Sequence, residues 1–247
     1  MLYMALKKSV VGPVLRRLFN HEVVGAKNLP NTGAILASNH LAFCDSIFIP
    51  LAVPQQVFFL AKSDYFTGKG PKGALNRWFF TAVGQLPLDR SGGSKSQKSL
   101  DGGIEKLREG GYLGIYPEGT RSPDGRAYRP KLGVARLALN ARVPVVPIGQ
   151  IGNNLVQPSG TNKINLKHNG KKITVKTIIG EPLDFSQYWD RANDISVQRL
   201  VADKIAEEIR KLSGQEYVDV YASSVKNLMA EKSISADEAI TQLKNRS

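Results

Sequence analysis

Residues 34–52, AILASNHLAFCDSIFIPLA, decide how the rest of the chain is read. The run 34–38 is apolar at both odd and even positions, as a strand buried on both faces must be, and after a short break 46–52 resumes as an apolar helix. A strand that passes through a few residues into a helix is the repeating unit of a parallel α/β sheet. Outward from this unit, further strands are expected at 22–25, 57–61, 113–116, 145–148 and 173–179. Helices are expected at 72–83, 94–109, 131–140 and 196–212. The helix at 94–109 has Leu100, Ile104 and Leu107 at helical spacing, Ser94 or Ser96 to cap its start, and Gly110 and Gly111 to end it. Residues 153–172 are polar and rich in Gly, Pro and Asn, which predicts a surface hairpin or loop.

The chain has 247 residues, 42% hydrophobic and 22% charged, a globular composition that excludes disordered, collagen-like and disulfide-scaffold classes. Its single cysteine, Cys44, cannot form an internal disulfide, which fits a reducing compartment and leaves no multi-thiol metal site. With 34 Lys+Arg against 21 Asp+Glu, the net charge of +13 attracts anions: nucleic acid, an anionic membrane surface or phosphorylated substrates. No apolar run reaches the roughly 18 residues that a membrane span needs. The first twenty residues, MLYMALKKSVVGPVLRRLFN, are not read as a signal peptide, because Lys7 and Lys8 interrupt the apolar run and no cleavage site follows. Pro13 should kink or restart the helix, so two short helices are expected. Lys7, Lys8, Arg16 and Arg17, with no acid among them, suit an in-plane membrane anchor; an ordinary packing helix is the alternative. The fold expected is thus α/β: a single domain at 21–212 with a mostly parallel or mixed central sheet flanked by helices. An N-terminal amphipathic, membrane-interfacial helical segment at 1–20 precedes it. A C-terminal helical tail at 213–247 follows, with Val218, Tyr221, Val225 and Leu228 on one stripe.

Neither a G-x-S-x-G elbow nor a complete phosphate-binding P-loop is present, so neither an α/β-hydrolase nor a P-loop NTPase is supported. Of three histidines, His21 and His168 lie among polar residues and are expected in solvent. His40 ends the strand, and Asp45 follows five residues later. On a continuous helix the two would point about 140° apart, but with His40 on the turn and Asp45 in the first helical turn they can meet. A carboxylate on Nδ1 would then orient the imidazole and stabilise its protonated form, while Nε2 takes a proton from a hydroxyl. The plainer alternative makes Asp45 or Ser46 a helix cap and His40 a buried turn residue. Arg90 precedes a helix start, and Arg121 follows a strand in Pro117-Glu-Gly-Thr-Arg-Ser122, at the sheet edge where ligands bind in α/β folds. Arginine's forked donors suit phosphate. Solvated surface charge is the alternative for both, and a buried carboxylate pinning the loop is the alternative for Glu118.

Four blocks together resemble the glycerolipid acyltransferases, the PlsC-type 1-acylglycerol-3-phosphate acyltransferase family with its HxxxxD motif. They are Asn39-His-Leu-Ala-Phe-Cys-Asp-Ser46, Gly84 to Arg90, Pro117 to Ser122, and Val143-Pro-Val-Val-Pro147, in the family's order. The resemblance implies that His40 is the catalytic general base and Asp45 its orienter. It implies that Arg90, Glu118, Gly119, Thr120 and Arg121 shape the site for the acceptor's phosphate. Lys62 resembles a basic position also placed near that phosphate, and Pro147 one connected with the acyl donor or with holding the sheet.

The activity expected is transfer of a fatty acyl group from a thioester to the sn-2 hydroxyl of lysophosphatidate, giving phosphatidate in phospholipid biosynthesis. No covalent intermediate, metal or cofactor is expected, since acyl-CoA or an acyl carrier protein serves as co-substrate. Backbone N–H groups at the start of the helix carrying Asp45 are candidate oxyanion donors, and Lys131 is a further cation for the phosphate. The expected partners are an anionic membrane surface, lysophosphatidate and the acyl donor, with no nucleic acid. The expected location is peripheral, on the cytoplasmic face of the cell membrane. The alternatives are a related acyltransferase acting on glycerol-3-phosphate, another lysophospholipid or a glycolipid. From a different class, a non-catalytic basic protein that binds membrane or nucleic acid is the rival.

Overall fold

The computed structural model describes residues 2–62, 68, 70, 71, 73, 74, 77, 84–88, 93–159, 161 and 163–245. The chain runs α1 (Leu2–Leu6), α2 (Gly12–Leu18), β1 (Asn20–Val24), β2 (Ala34–Ser38), α3 (Asp45–Ala52), β3 (Val57–Lys62), β4 (Gln85–Leu88), α4 (Gly93–Arg108), β5 (Tyr112–Ile115) and β6 (Ala127–Tyr128). It continues through α5 (Gly133–Ala141), β7 (Val145–Ile151), α6 (Asn153–Val156), β8 (Lys167–His168), β9 (Lys171–Lys172), β10 (Thr174–Ile179), α7 (Ile195–Ser213), β11 (Tyr217–Val218), α8 (Ala222–Lys232) and α9 (Ala236–Lys244). Most of the helix expected at 72–83 lies outside the described residues.

The main sheet has the order β1-β10-β7-β2-β5-β3-β4. β7, β2, β5, β3 and β4 run parallel, while β10 is antiparallel to β7 and carries β1 parallel beside it. The double-sided apolar run of β2 has its cause in two cores. Ile35 and Ala37 face Leu100, Ile104, Leu107, Leu137, Val201 and Ile205 from α4, α5 and α7. Ala34 and Leu36 face Ile49 and Ala52 of α3, with Val57, Phe59 and Tyr112. This is the mostly parallel sheet flanked by helices that the strand-to-helix stretch implied.

Three local departures have physical reasons. β4 occupies part of the Gly84–Arg90 block, where no strand was expected; it is the sheet's edge strand, where Pro87 is tolerated because a missing ladder donor can face outward. β1 starts two residues earlier than expected, since Asn20 and His21 pair with Thr174 and Val175. The N-terminal segment forms the two expected helices, but they are not separated at Pro13. Leu6, Val11 and Gly12 keep helical backbone angles, and α1 and α2 are joined by a π-helical turn at Lys7–Val11 in which Gly12 donates to the Lys7 carbonyl. Pro13 sits in the first turn of α2, directly after the π-helical turn.

The C-terminal residues fold back onto the loop that follows β5. β11 pairs in parallel with β6, matching Tyr217 with Ala127 and Val218 with Tyr128. Val218, Val225 and Leu228 of the expected stripe close over Tyr128 together with Ala239 and Ile240, while Tyr221 stays partly exposed under the Arg129 guanidinium. A reciprocal cap between Ser235 and Glu238 starts α9.

Candidate active site

The site is built where β2 leaves the sheet. Asn39 extends the ladder with its side chain: Nδ2 donates to the Gln150 carbonyl at 3.0 Å, and Oδ1 accepts the Gln150 N–H at 2.7 Å. That fixes the point from which His40 turns away. His40 Nδ1 donates to Asp45 Oδ2 at 2.8 Å, so Nε2 keeps its lone pair. The same Oδ2 accepts the N–H groups of Leu41 and Ala42 at 2.7 and 2.9 Å. Asp45 is fully buried, whereas the His40 side chain is 17% exposed. The plainer alternative of a helix cap is therefore only part of the arrangement. Cys44 holds the capping position without a side-chain cap bond, its thiol donating instead to the Asn153 carbonyl, and the Asp45 carboxylate binds the turn before the helix and the imidazole together.

The imidazole also lies flat against Tyr116, with ring centroids 3.8 Å apart and planes 8° from parallel. Tyr116 directly follows β5, and its hydroxyl shares a 2.8 Å hydrogen bond with that of Ser46. Burial pushes the phenol well above its ordinary value, so it stays protonated. The Ser122 N–H donates to the His40 carbonyl at 2.7 Å, which joins the two blocks across parallel neighbours. The helix-start N–H groups expected as oxyanion donors are occupied at Leu41, Ala42, Phe43, Asp45 and Ser46.

At Gly119 the backbone turns with φ +74°, and its N–H donates to the Tyr116 carbonyl at 2.9 Å. A side chain there would be both strained and pressed against the Lys131 stem. The turn delivers Thr120 and Arg121 next to Lys226 of α8, whose ammonium lies 3.4 Å from Thr120 Oγ1 and from the Arg121 carbonyl. Burial and the Arg121 charge push the Lys226 ammonium below its usual range. Lys131, Arg121 and Lys226 thus surround this loop, and none of them forms an ion pair with a carboxylate among the described residues.

Glu118 points inward. It is buried, accepts the Tyr128 N–H, and burial raises its carboxyl to about 8, so near neutrality it is mostly protonated and does not cancel the cations. This places it as the carboxyl that pins the loop. Between the usual carboxylate range and about 8, the folded chain holds a proton at Glu118 that the unfolded chain has released. Its contribution to stability is complete at acid pH and is lost as pH rises through that window, at most about 1.4 kcal/mol per pH unit. Glu118→Gln is expected to flatten this slope, which urea unfolding of both proteins at pH 5 and pH 8 would measure.

Arg90 lies outside the described residues, and of Lys62 only the backbone is described, at the end of β3. Lys62 pairs with Leu88, so β3 and β4 end together at the sheet edge that carries His40. Pro147 is buried inside β7 opposite Ala37 and accepts the Gly180 N–H, a sheet-holding place. His168 is exposed as expected, but His21 is not. It stands edge-on to Phe48 and is bonded at 2.9 Å to Thr177 Oγ1, and burial pushes it down to about 4. The sequence reading missed Tyr116, the Asn39–Gln150 clamp and Lys226. An aromatic residue just ahead of the Pro117 block was the one local signal for the first; Lys226, 105 residues from Arg121, had none.

The profile of the Acyltransferase family matches residues 20–150, just over half of the chain, and the chain belongs to that family. Among named relatives, a chloroplastic 1-acyl-sn-glycerol-3-phosphate acyltransferase of Brassica napus is 31% identical over 169 residues, covering 67% of this chain and 47% of its own. The enzyme of that name from Bacillus subtilis is 28% identical over 201 residues, covering 78% and 88%. The chain spans about half the length of the plant relatives it matches. The crystal structure of PlsC from Thermotoga maritima, a 1-acyl-sn-glycerophosphate acyltransferase, shares the fold with a TM-score of 0.57 at 22% identity, covering 85% of this chain and 82% of that one.

Proposed function

We propose that this protein transfers a fatty acyl group from an acyl thioester to the sn-2 hydroxyl of 1-acylglycerol-3-phosphate, with His40 as general base. The observation that carries the reading is the His40 Nδ1–Asp45 Oδ2 bond, which leaves Nε2 as acceptor on the partly exposed side chain. Nε2 takes the hydroxyl proton as the oxygen attacks the thioester carbonyl. The tetrahedral intermediate then collapses with cleavage of the C–S bond, and the departing sulfur takes the proton back from the imidazolium. Asp45 stabilises that cation, and Tyr116 holds the ring plane. The thioester is already activated, so no covalent enzyme intermediate is needed. The acceptor phosphate is bound by Arg121 with Lys226 and Lys131, and, as the family resemblance implies, by Arg90 and Lys62, through charge-assisted hydrogen bonds. The protein works as a peripheral enzyme on the cytoplasmic face of the membrane. Consistent with that placement, no helix among the described residues is long and apolar enough to cross a bilayer.

The test is thiol release from acyl-CoA, or from acyl carrier protein, with and without lysophosphatidate. Acceptor-dependent release with phosphatidate as product supports the reading; acceptor-independent release would make the protein a thioesterase instead. In the same assay Arg121→Ala is expected to raise the KM for lysophosphatidate at least about tenfold, since a hydrogen bond to a charged group contributes about 1.5–3 kcal/mol. Lys226→Ala should act in the same direction with a smaller effect. An unchanged KM in both variants would place the phosphate elsewhere.

A further inference from the structure

The polarity of the sheet collects distant segments at the edge that carries His40. β2 and β7 run parallel and end there, whereas β10, antiparallel to β7, and β1, parallel to β10, begin there. The N-terminal helix enters β1 at this edge, and the insertion that links β7 to β10 leaves and returns at it. Direct bonds tie the three segments together. The Phe43 N–H, inside the His40–Asp45 turn, donates to Gln157 Oε1 at 3.0 Å, and the Lys172 ammonium reaches the Arg16 carbonyl at 3.3 Å. Beneath them, Phe19, Ala42, Phe48, Val156, Ile173 and Val175 form one apolar cluster that takes residues from all three. The insertion ends in a tight hairpin, β8 to β9, turned by Asn169 and Gly170, both with positive φ.

The outer side of this assembly mixes exposed apolar groups with unbalanced positive charge. Val10 and Val14 of the helix, Phe43 at 55% exposure, and Ile164 and Leu166 of the insertion all face solvent. Residues 1–21 contribute exposed Lys8, Arg16 and Arg17, while half-buried Lys7 is turned to the Val53 carbonyl, and residues 152–175 contribute Lys163, Lys167, Lys171 and Lys172; neither stretch contains an Asp or Glu. Apolar side chains that can enter the acyl boundary, surrounded by cations with no acid to neutralise them, are the chemistry of a surface that binds anionic lipid. We infer that the 153–172 insertion, with Phe43 and the N-terminal helix, forms one docking surface for an anionic bilayer, and that it sets the His40 edge of the sheet against the membrane. The inference extends the peripheral placement proposed above and assigns the second half of the contact to the insertion; it requires no acyl transfer.

The experiment is co-sedimentation of the full chain with large unilamellar vesicles of phosphatidylcholine, alone or with phosphatidylglycerol. One variant carries Ile164→Ser with Leu166→Ser, the other Lys163→Glu with Lys167→Glu; all four side chains are exposed, and neither lysine is in an ion pair among the described residues. Each variant is expected to weaken binding to the phosphatidylglycerol vesicles at least about tenfold. Thiol release with a short-chain, water-soluble lysophosphatidate should be unchanged, and release with vesicle-embedded acceptor should fall. Wild-type binding in both variants overturns the inference. So does loss in the lysine variant alone, which would mean adhesion to an acidic partner without insertion. If binding is lost but the wild type releases no thiol with any acceptor, the docking surface stands and the proposed reaction fails.

Discussion

His40→Ala is expected to lower acceptor-dependent acyl transfer by about 10²- to 10⁴-fold, the usual contribution of a positioned general base. The fold should survive the change. Among the described residues the His40 side chain has one hydrogen bond, to Asp45, and one ring contact, to Tyr116, and it is partly open to solvent. When it is removed, Asp45 Oδ2 still accepts the Leu41 and Ala42 N–H groups, so the turn keeps its anchor. Thermal unfolding would confirm that the variant is folded, and the thiol-release rate would report the base. A folded His40→Ala variant with full activity would remove the imidazole from the mechanism.

Asp45 should separate two roles that one oxygen performs. Asp45→Ala strands two backbone N–H groups, at buried Leu41 and Ala42, as well as the imidazole Nδ1. A buried donor left without its partner costs about 1–3 kcal/mol, so a loss of about 2–6 kcal/mol in urea unfolding is expected, together with activity as low as that of His40→Ala. Asp45→Asn should behave differently. The two N–H groups demand an acceptor where Oδ2 now lies, so they orient the amide with its oxygen toward them and toward Nδ1, and its NH₂ group away. The imidazole then keeps its tautomer, and only the negative charge facing the imidazolium is lost. The expected fall is about tenfold, the difference between a charged and a neutral acceptor, with a smaller loss of stability than in Asp45→Ala. Equal inactivation by Asn and Ala would mean that the amide sits the other way round and the tautomer has been reversed.

The meeting of His40 and Asp45 was legible in the sequence, because a five-residue interval between a strand end and a helix start is a local matter. The parallel sheet was legible too, from the apolar runs of β2, β3, β5 and β7. What escaped was non-local or permitted by position. β4 is short and contains Pro87, which argues against a strand except at the edge where it lies. The reversal of β10 and β1 depends on where the insertion returns, and no hydrophobic period records that. His21 looked like a loop histidine because its neighbours in sequence are polar, while its neighbours in space are Phe48 and Thr177. Lys226 reached the Arg121 turn only because β11 added itself to β6 and drew α8 over the loop.

The flat stacking of Tyr116 on His40 also gives this imidazole a signature of its own. An aromatic ring parallel to the imidazole at 3.8 Å shields the imidazole protons by its ring current and moves their resonances upfield. The chain has only three histidines, and neither His21 nor His168 is stacked on an aromatic ring among the described residues. His21, edge-on to Phe48, can be shifted as well, so the signal that disappears in His40→Ala is the one that belongs to His40, and its response to each substrate could be followed there.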